Sequence, residues 1–236
     1  MCESKESFKR MHPEMPHTLF TLELIREFIR KHYNNEVLSA FDNLKPFAYK
    51  SDLARQCILY QLGGVYADIS LYFMKPWSSP YLTEKVSPLL RMPSNVLRLG
   101  VFRDFCVSSP WDTVVGLYCA PPRHKAMEAA INMICANVKE RYYGNSSLCP
   151  TGPALFGKAI ASTCRAEDLI VGDSRWYSPE LPLRPNSIVR ERSHCFIYDN
   201  ELVAIRRKRG AGSLSEIGIH GGNEYYKMWA KEDVYL

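Results

Sequence analysis

The stretch FAYKSDLARQCILYQLGGVYADIS, Phe47 to Ser70, does most to limit what this chain can fold into. It opens after Pro46 as a polar helix start and continues as an apolar helix. Gly63-Gly64 then closes it, because glycine tolerates the left-handed backbone at which helices stop. Val65 to Ser70 reads as a strand. A helix that turns at once into a strand is the unit of an α/β chain, and here it leaves the acid Asp68 projecting at the strand's end.

The rest of the chain agrees with that class. Between Thr21 and Tyr33 the apolar residues Leu24, Ile25, Phe28 and Ile29 recur at helical spacing, with Thr21 placed as the N-cap. A short helix is predicted around Glu36 to Phe41. Beyond Asp68, Tyr72 and Phe73 give way to Pro76 and Pro80, which predicts a loop or edge segment. Val96 to Phe105 and Thr113 to Cys119 read as strands. Pro121-Pro122 then precedes a helix with Met127, Ala130, Ile131, Ile134 and Val138 as its buried stripe. Gly152 to Thr163 predicts a further helix, and Asp199-Asn200 sits between the alternating strands of a hairpin over Cys195 to Ile205. No internal repeat or low-complexity linker interrupts the order, so one domain over residues 1–236 is expected.

Composition excludes several classes. At 46% hydrophobic and 23% charged residues the chain has enough apolar surface for a sizeable core. No apolar run approaches the roughly 20 residues of a membrane span, and MCESKESFKRMHP lacks the apolar centre of a secretion signal. A cytoplasmic location is the expectation. The eight cysteines contain no CxxC pair, which argues against a zinc ribbon or a thioredoxin-like site and for reduced core thiols. A net charge of +5 suits an anionic ligand. The densest basic run, Arg206 to Arg209, reads first as a solvated strand end and second as a patch for phosphates or anionic lipid heads, hence for peripheral membrane contact. It lacks the interleaved aromatics of a nucleic-acid surface, and no nucleic-acid partner is expected.

Asp52 and Arg55 lie three residues apart on one face of a helix, near its N-terminus. A carboxylate accepts from hydroxyls, and a guanidinium offers a planar fork to a phosphate or a sugar diol. The same pair also reads as an acid on the helix dipole tied to an arginine. Asp68 stands where ligands gather in open α/β sheets, beyond a strand's carboxyl end. Thr151, before Gly152-Pro153, reads as an N-cap with an exposed hydroxyl at a positive helix end, or as a cap alone. Tyr225, Tyr226 and Trp229 either stack on a sugar or base or pack in the core.

The run SDLARxxILYxxGGVYxD closely resembles the sugar-binding region of DxD glycosyltransferases, the family of fungal initiation-specific mannosyltransferases, bacterial capsule and lipopolysaccharide sugar transferases and clostridial glucosylating toxins. YYGNSSLCPTGPALFGKAI and GIHGGNEYYKMWAKEDVY are similar to the family's glycine-proline and terminal segments, so the resemblance covers most of the chain from about Phe8. It implies a GT-A-like nucleotide-sugar-binding fold with a central mixed sheet flanked by helices. It also implies a UDP- or GDP-linked sugar donor, a divalent cation (Mn²⁺ or Mg²⁺), and transfer of a hexose, with retention, to a hydroxyl of a glycan or lipid-linked oligosaccharide. By position, Asp68 and Arg55 take the catalytic places. Asp52, Arg55, Gly64, Asp68, Ser70, Thr151, Gly152, Gly221 and Asn223 contact the donor, while Asp68 and His220 hold the metal.

The sequence departs from the family's pattern twice. Ser70 stands where the second acid of DxD is common, so it supplies an oxygen but no charge to a metal. The strand resembling IPKIIHQ with which members usually open is not apparent. Both departures favour the alternative of a degenerate, non-catalytic sugar-nucleotide or glycan-binding protein of the same fold.

Overall fold

The computed structural model describes residues 3–77, 98–104, 112–178, 189, 193–206 and 224–236. Helices α1 (Glu3–Met11), α2 (Leu22–His32), α3 (Asn35–Asn43) and α4 (Phe47–Leu62) come first. The Thr21 hydroxyl accepts from the Leu24 N–H and the Asn34 side chain from the Val37 N–H, which satisfies donors that a helix start leaves unpaired. At its other end α4 stops as expected: Gly63 and Gly64 take φ of 64° and 105°.

Strands β1 (Gly64–Ala67), β2 (Leu71–Phe73), β3 (Leu99–Asp104) and β4 (Leu117–Ala120) follow, then α5 (Lys125–Lys139), α6 (Pro153–Thr163), β5 (Leu169–Trp176), β6 (His194–Tyr198), β7 (Glu201–Arg206) and α7 (Tyr225–Ala230). The seven strands form one sheet in the order β1-β4-β3-β5-β6-β7-β2. β3 pairs with β5 in parallel and the other neighbours are antiparallel, so the sheet is mixed. The α/β expectation, a central mixed sheet flanked by helices, is met.

Strand alternation assigns the two faces. Leu99, Val101, Tyr118 and Ala120 pack into a core with α2 to α6, whereas Phe102, Leu117 and Cys119 face the opposite way, toward Phe8 of α1, Phe73, Trp77 and Phe196. On the first side α5 buries Met127, Ala130, Ile131 and Ile134 as its spacing predicts, while Val138 is partly buried. The hairpin β6–β7 turns at Asp199 and Asn200, whose φ values of 50° and 59° are those that Asp and Asn tolerate in a two-residue turn.

One feature of the order places the site. β1 and β2 stand at opposite ends of the strand sequence, yet only residues 68–70 join them. Four residue steps span at most about 14 Å, and the Leu71 N–H donates to the Asp68 carbonyl at 2.9 Å, so the connection is a tight turn. The sheet therefore rolls until its two edges approach, and Asp68 lies at the seam.

Several expectations need correction. The strand after Gly63 ends at Ala67, leaving Asp68 and Ser70 in the turn. Of the loop or edge segment expected around Tyr72 and Phe73, the edge alternative holds, since among the described residues β2 pairs only with β7 at the end of the strand order. Thr113 to Cys119 is strand only from Leu117, with Thr113 joined to Arg103 by an isolated bridge. α1 and β5 were not expected from the sequence. The six cysteines among the described residues are free and five are buried, as core thiols should be. No described helix is long and apolar enough to cross a membrane.

Candidate active site

The seam gathers side chains from α4, β1, β4, β7 and the start of α6. On α4, one Asp52 carboxylate oxygen lies 3.3 Å from Arg55 Nη2, and the other accepts the Thr151 hydroxyl at 2.7 Å. Thr151 is fully buried and Gly152 is the N-cap residue of α6, so the expectation that Thr151 caps the helix with an exposed hydroxyl is corrected. Its hydroxyl turns inward because the buried Asp52 carboxylate is the stronger acceptor. A Cβ added at Gly152 would stand 3.6 Å from Asp52 Oδ2, which shows how closely this backbone passes the acid.

Burial pushes the Asp52 carboxyl up to about 6 and Asp68 adds to that, while Arg55 and the Thr151 hydroxyl pull the other way. Burial also works against the charge of Arg55, but Tyr66, Asp52 and Asp68 outweigh it and hold that guanidinium above its ordinary pKa. Arg55 is almost wholly enclosed. Its Nε donates to the Ser51 carbonyl at 3.0 Å, Nη2 to the Ser51 hydroxyl at 2.9 Å and Nη1 to the Val115 carbonyl, and its Cζ lies 4.5 Å from the centre of the Tyr66 ring.

Asp68 is fixed by its backbone, whose N–H donates to the Gly116 carbonyl at 2.8 Å. One carboxylate oxygen accepts from the Tyr66 hydroxyl at 2.9 Å and lies 3.5 Å from Arg55 Nη1; the other lies 3.5 Å from Arg206 Nη2. Tyr66 pairs across the ladder with Tyr118, whose hydroxyl is buried with no hydrogen-bond partner among the described residues. Burial raises the pKa of that phenol, and Arg55, Asp52 and Asp68 are all close enough to act on it.

The structure thus brings Asp52, Arg55, Asp68, Thr151 and Gly152 together. Gly64 starts β1 with open space around its α-carbon, and Ser70 lies half-buried in the turn after Asp68. His220, Gly221 and Asn223 lie outside the described residues, as does the basic run beyond Arg206. Of the three aromatics considered for stacking, Tyr225 packs on the core with its ring centre 6.0 Å from that of Tyr49, Trp229 donates to the Tyr143 carbonyl at 2.9 Å, and Tyr226 is exposed. Sequence reasoning missed Arg206, Gly116, Tyr66 and Tyr118. Only Arg206 carried a signal, as the first residue of a run read as solvated.

The divalent cation that the resemblance implies can be tested against these contacts. Among the described residues no group of three His, Cys, Asp or Glu converges as a cation cage. Both oxygens of Asp68 face guanidinium nitrogens, whose positive charge opposes that of a metal ion. The described residues do not fit a divalent ion at Asp68.

Residues 1–87 match the family described as "Glycosyltransferase sugar-binding region containing DXD motif". Over that stretch the chain is similar to the sugar-binding region of the DXD glycosyltransferases. The matched stretch includes the turn with Asp68 and Ser70 and the helix that carries the buried Asp52–Arg55 pair. The chain is 31% identical over 111 residues to mannosyl phosphorylinositol ceramide synthase SUR1 of Saccharomyces cerevisiae, a match covering 46% of this chain and 26% of that protein. The chain therefore spans about a quarter of the length of the curated relative it matches. Among solved structures, the PaToxG glycosyltransferase overlaps 49% of this chain and 35% of its own at 22% identity and a TM-score of 0.37, too slight a likeness to bear on the fold.

Proposed function

We propose that the protein transfers a hexose from a nucleotide-sugar donor to a hydroxyl of a glycan or lipid-linked acceptor, with retention, on a GT-A-like sheet. The observation that carries this reading is the convergence of Asp52, Arg55, Asp68, Thr151 and Gly152 at the seam, inside or beside the segment that matches the sugar-binding region. Carboxylates that accept from hydroxyls, beside guanidiniums that meet phosphate, are the groups a sugar diphosphate requires. A hexosyl donor and a lipid-linked acceptor also accord with the name of the yeast relative, which mentions a mannosyl group and a phosphorylinositol ceramide.

In this reading Asp68 orients donor hydroxyls, the enclosed Asp52 holds Arg55 and Thr151 in place behind it, and the acceptor hydroxyl is brought to the sugar's anomeric carbon. Arg55 and its neighbours stabilise the charge that develops on the departing diphosphate. The chemistry rests chiefly on positioning and electrostatics, and no residue is assigned as a covalent nucleophile.

The test is a thermal-shift screen of UDP-, GDP- and other nucleotide-sugars with and without Mn²⁺, followed by donor hydrolysis by the parent and by Asp68→Ala. A donor that binds the native state raises Tm. Loss of a carboxylate that orients the donor should lower turnover by about a hundredfold while circular dichroism stays unchanged. Normal turnover in folded Asp68→Ala removes the assignment. The second reading, a binding protein without transfer, is favoured by Ser70 and by the guanidiniums already on Asp68; it predicts a thermal shift with no hydrolysis.

A further inference from the structure

We infer that Arg206 binds the donor's diphosphate, so that a guanidinium on β7 supplies the positive charge at Asp68 that the family resemblance assigns to a metal ion. The inference rests on the proposed use of a nucleotide-sugar and names how this chain would hold it.

Three observations converge on Arg206. The first is availability. The Arg55 and Arg206 guanidiniums lie on different oxygens of Asp68, each at 3.5 Å, but the Arg55 side chain is 6% exposed and spreads its nitrogens over Ser51, Asp52 and Val115, whereas that of Arg206 is 27% exposed. Of the two cations, Arg206 is the one with surface left for a ligand. The second is incomplete satisfaction. Arg206 Nε is buried without a hydrogen-bond partner among the described residues, and Nη2 meets Asp68 only at the outer limit of a hydrogen bond. A guanidinium presents five donors in a planar fork, and a phosphate oxygen pair is the acceptor that such a fork matches.

The third is a cradle. A Cβ built at Gly116 would stand 2.5 Å from Arg206 Nη2 and 2.8 Å from Asp68 Oδ2. Only a residue without a side chain lets both charged groups sit over this backbone, whose carbonyl also receives the Asp68 N–H. Asp68 holds the two guanidiniums apart on its two oxygens, which leaves the remaining nitrogens of Arg206 for an anionic group. Tyr225 is near enough for both Asp52 and Arg206 to act on it, which places α7 on the same side of the seam.

The experiment measures binding of UDP and GDP by calorimetry, in EDTA and in Mn²⁺, to the parent chain, Arg206→Gln, Arg206→Lys and Gly116→Ala. The parent should bind one of the two nucleotides in EDTA. Arg206→Gln should weaken that binding about tenfold to a hundredfold, the range for a charge-assisted contact to phosphate, while leaving binding of the corresponding nucleoside unchanged. Arg206→Lys should recover part of the loss, since it keeps the charge but not the fork. Gly116→Ala displaces the ends of the Arg206 and Asp68 side chains rather than backbone, so it should fold as the parent does and lose diphosphate affinity with the charge count intact. Diphosphate affinity in Arg206→Gln or Gly116→Ala equal to the parent's overturns the inference and leaves the nucleotide-sugar reading standing. So does binding that EDTA abolishes and Mn²⁺ restores equally in parent and Arg206→Gln. If the parent binds no nucleoside diphosphate or sugar nucleotide under either condition, the reading itself falls and the inference with it.

Discussion

Asp52 offers the sharpest quantitative test, because its environment changes the stability of the whole fold in a calculable direction. Its carboxyl is raised from 3.8 to about 6, first by burial, and only Arg55 and Thr151 restrain the shift. A carboxyl that is harder to ionise when folded stabilises the fold while it is protonated. That contribution is complete below the unfolded pKa and disappears as pH rises through the folded one. The difference of roughly two pKa units corresponds to about 3 kcal/mol, with about half of it gone by pH 5 and nearly all by pH 7. Asn cannot ionise, yet its amide oxygen can still accept from Thr151. The stability of Asp52→Asn relative to the parent should therefore rise by about 3 kcal/mol between pH 3.5 and pH 7.5, whatever fixed offset the substitution brings. Urea unfolding of both proteins at four pH values in that interval reads the difference directly, and other titrating groups cancel because both chains carry them. A difference that stays constant with pH would refute the argument. It would mean that the Asp52 carboxylate is solvated, and with it the enclosed seam described above would be wrong.

Three further outcomes follow from the same contacts. Arg55→Lys should lower stability by about 2–4 kcal/mol, since one ammonium cannot replace nitrogens that meet Ser51, Asp52, Val115 and Asp68 at once and the buried acids lose their partner; a Tm equal to the parent's would show that the fork is not required. Thr151→Val should cost about 1–3 kcal/mol at pH 7, and less at pH 4, because the Thr151 hydroxyl bonds the ionised Asp52 carboxylate more strongly than the protonated acid; urea unfolding at the two pH values checks both size and sign. Gly100→Ala should destabilise by about 1–3 kcal/mol, since its Cβ would meet Cys119 Sγ at 2.4 Å and the Trp77 ring at 3.3 Å in a packed layer; an unchanged midpoint would mean that the β3–β4 face is looser than described.

What could be read from the sequence divides along contact range. The Thr21 cap, the Gly63-Gly64 stop, the α5 stripe and the Asp199-Asn200 turn each depend on a few consecutive residues, and each formed as expected. The Asp52–Arg55 pair was visible for the same reason, being three residues apart on one helix. Arg206 was not, because its place beside Asp68 arises from β7 pairing with β2 at the edge that the residue 68–70 turn brings back to β1. No local pattern encodes that return. The inward turn of Thr151 was equally hidden, since its partner lies 99 positions away and competes with the helix start that Thr-Gly-Pro suggests on its own.

The energetics of the seam bear on why these residues stand where they do. A buried acid–arginine pair stabilises a fold weakly at best, since desolvating both ions offsets most of their attraction, and well-packed apolar residues of similar volume often serve stability as well or better. Asp52 shows that penalty in its raised pKa, and Tyr118 adds a buried hydroxyl with no hydrogen-bond partner among the described residues. Neither feature is needed to close the core, which β3, β4 and α4 to α6 already fill with apolar side chains. Local departures from what packing alone would choose concentrate at sites of use, because binding a charged ligand requires polar groups held ready out of water. Here the departures cluster at the point where the sheet's edges meet, within reach of the more exposed Arg206, and the enclosed Asp52–Arg55 pair supplies the rigid wall against which a donor would be held.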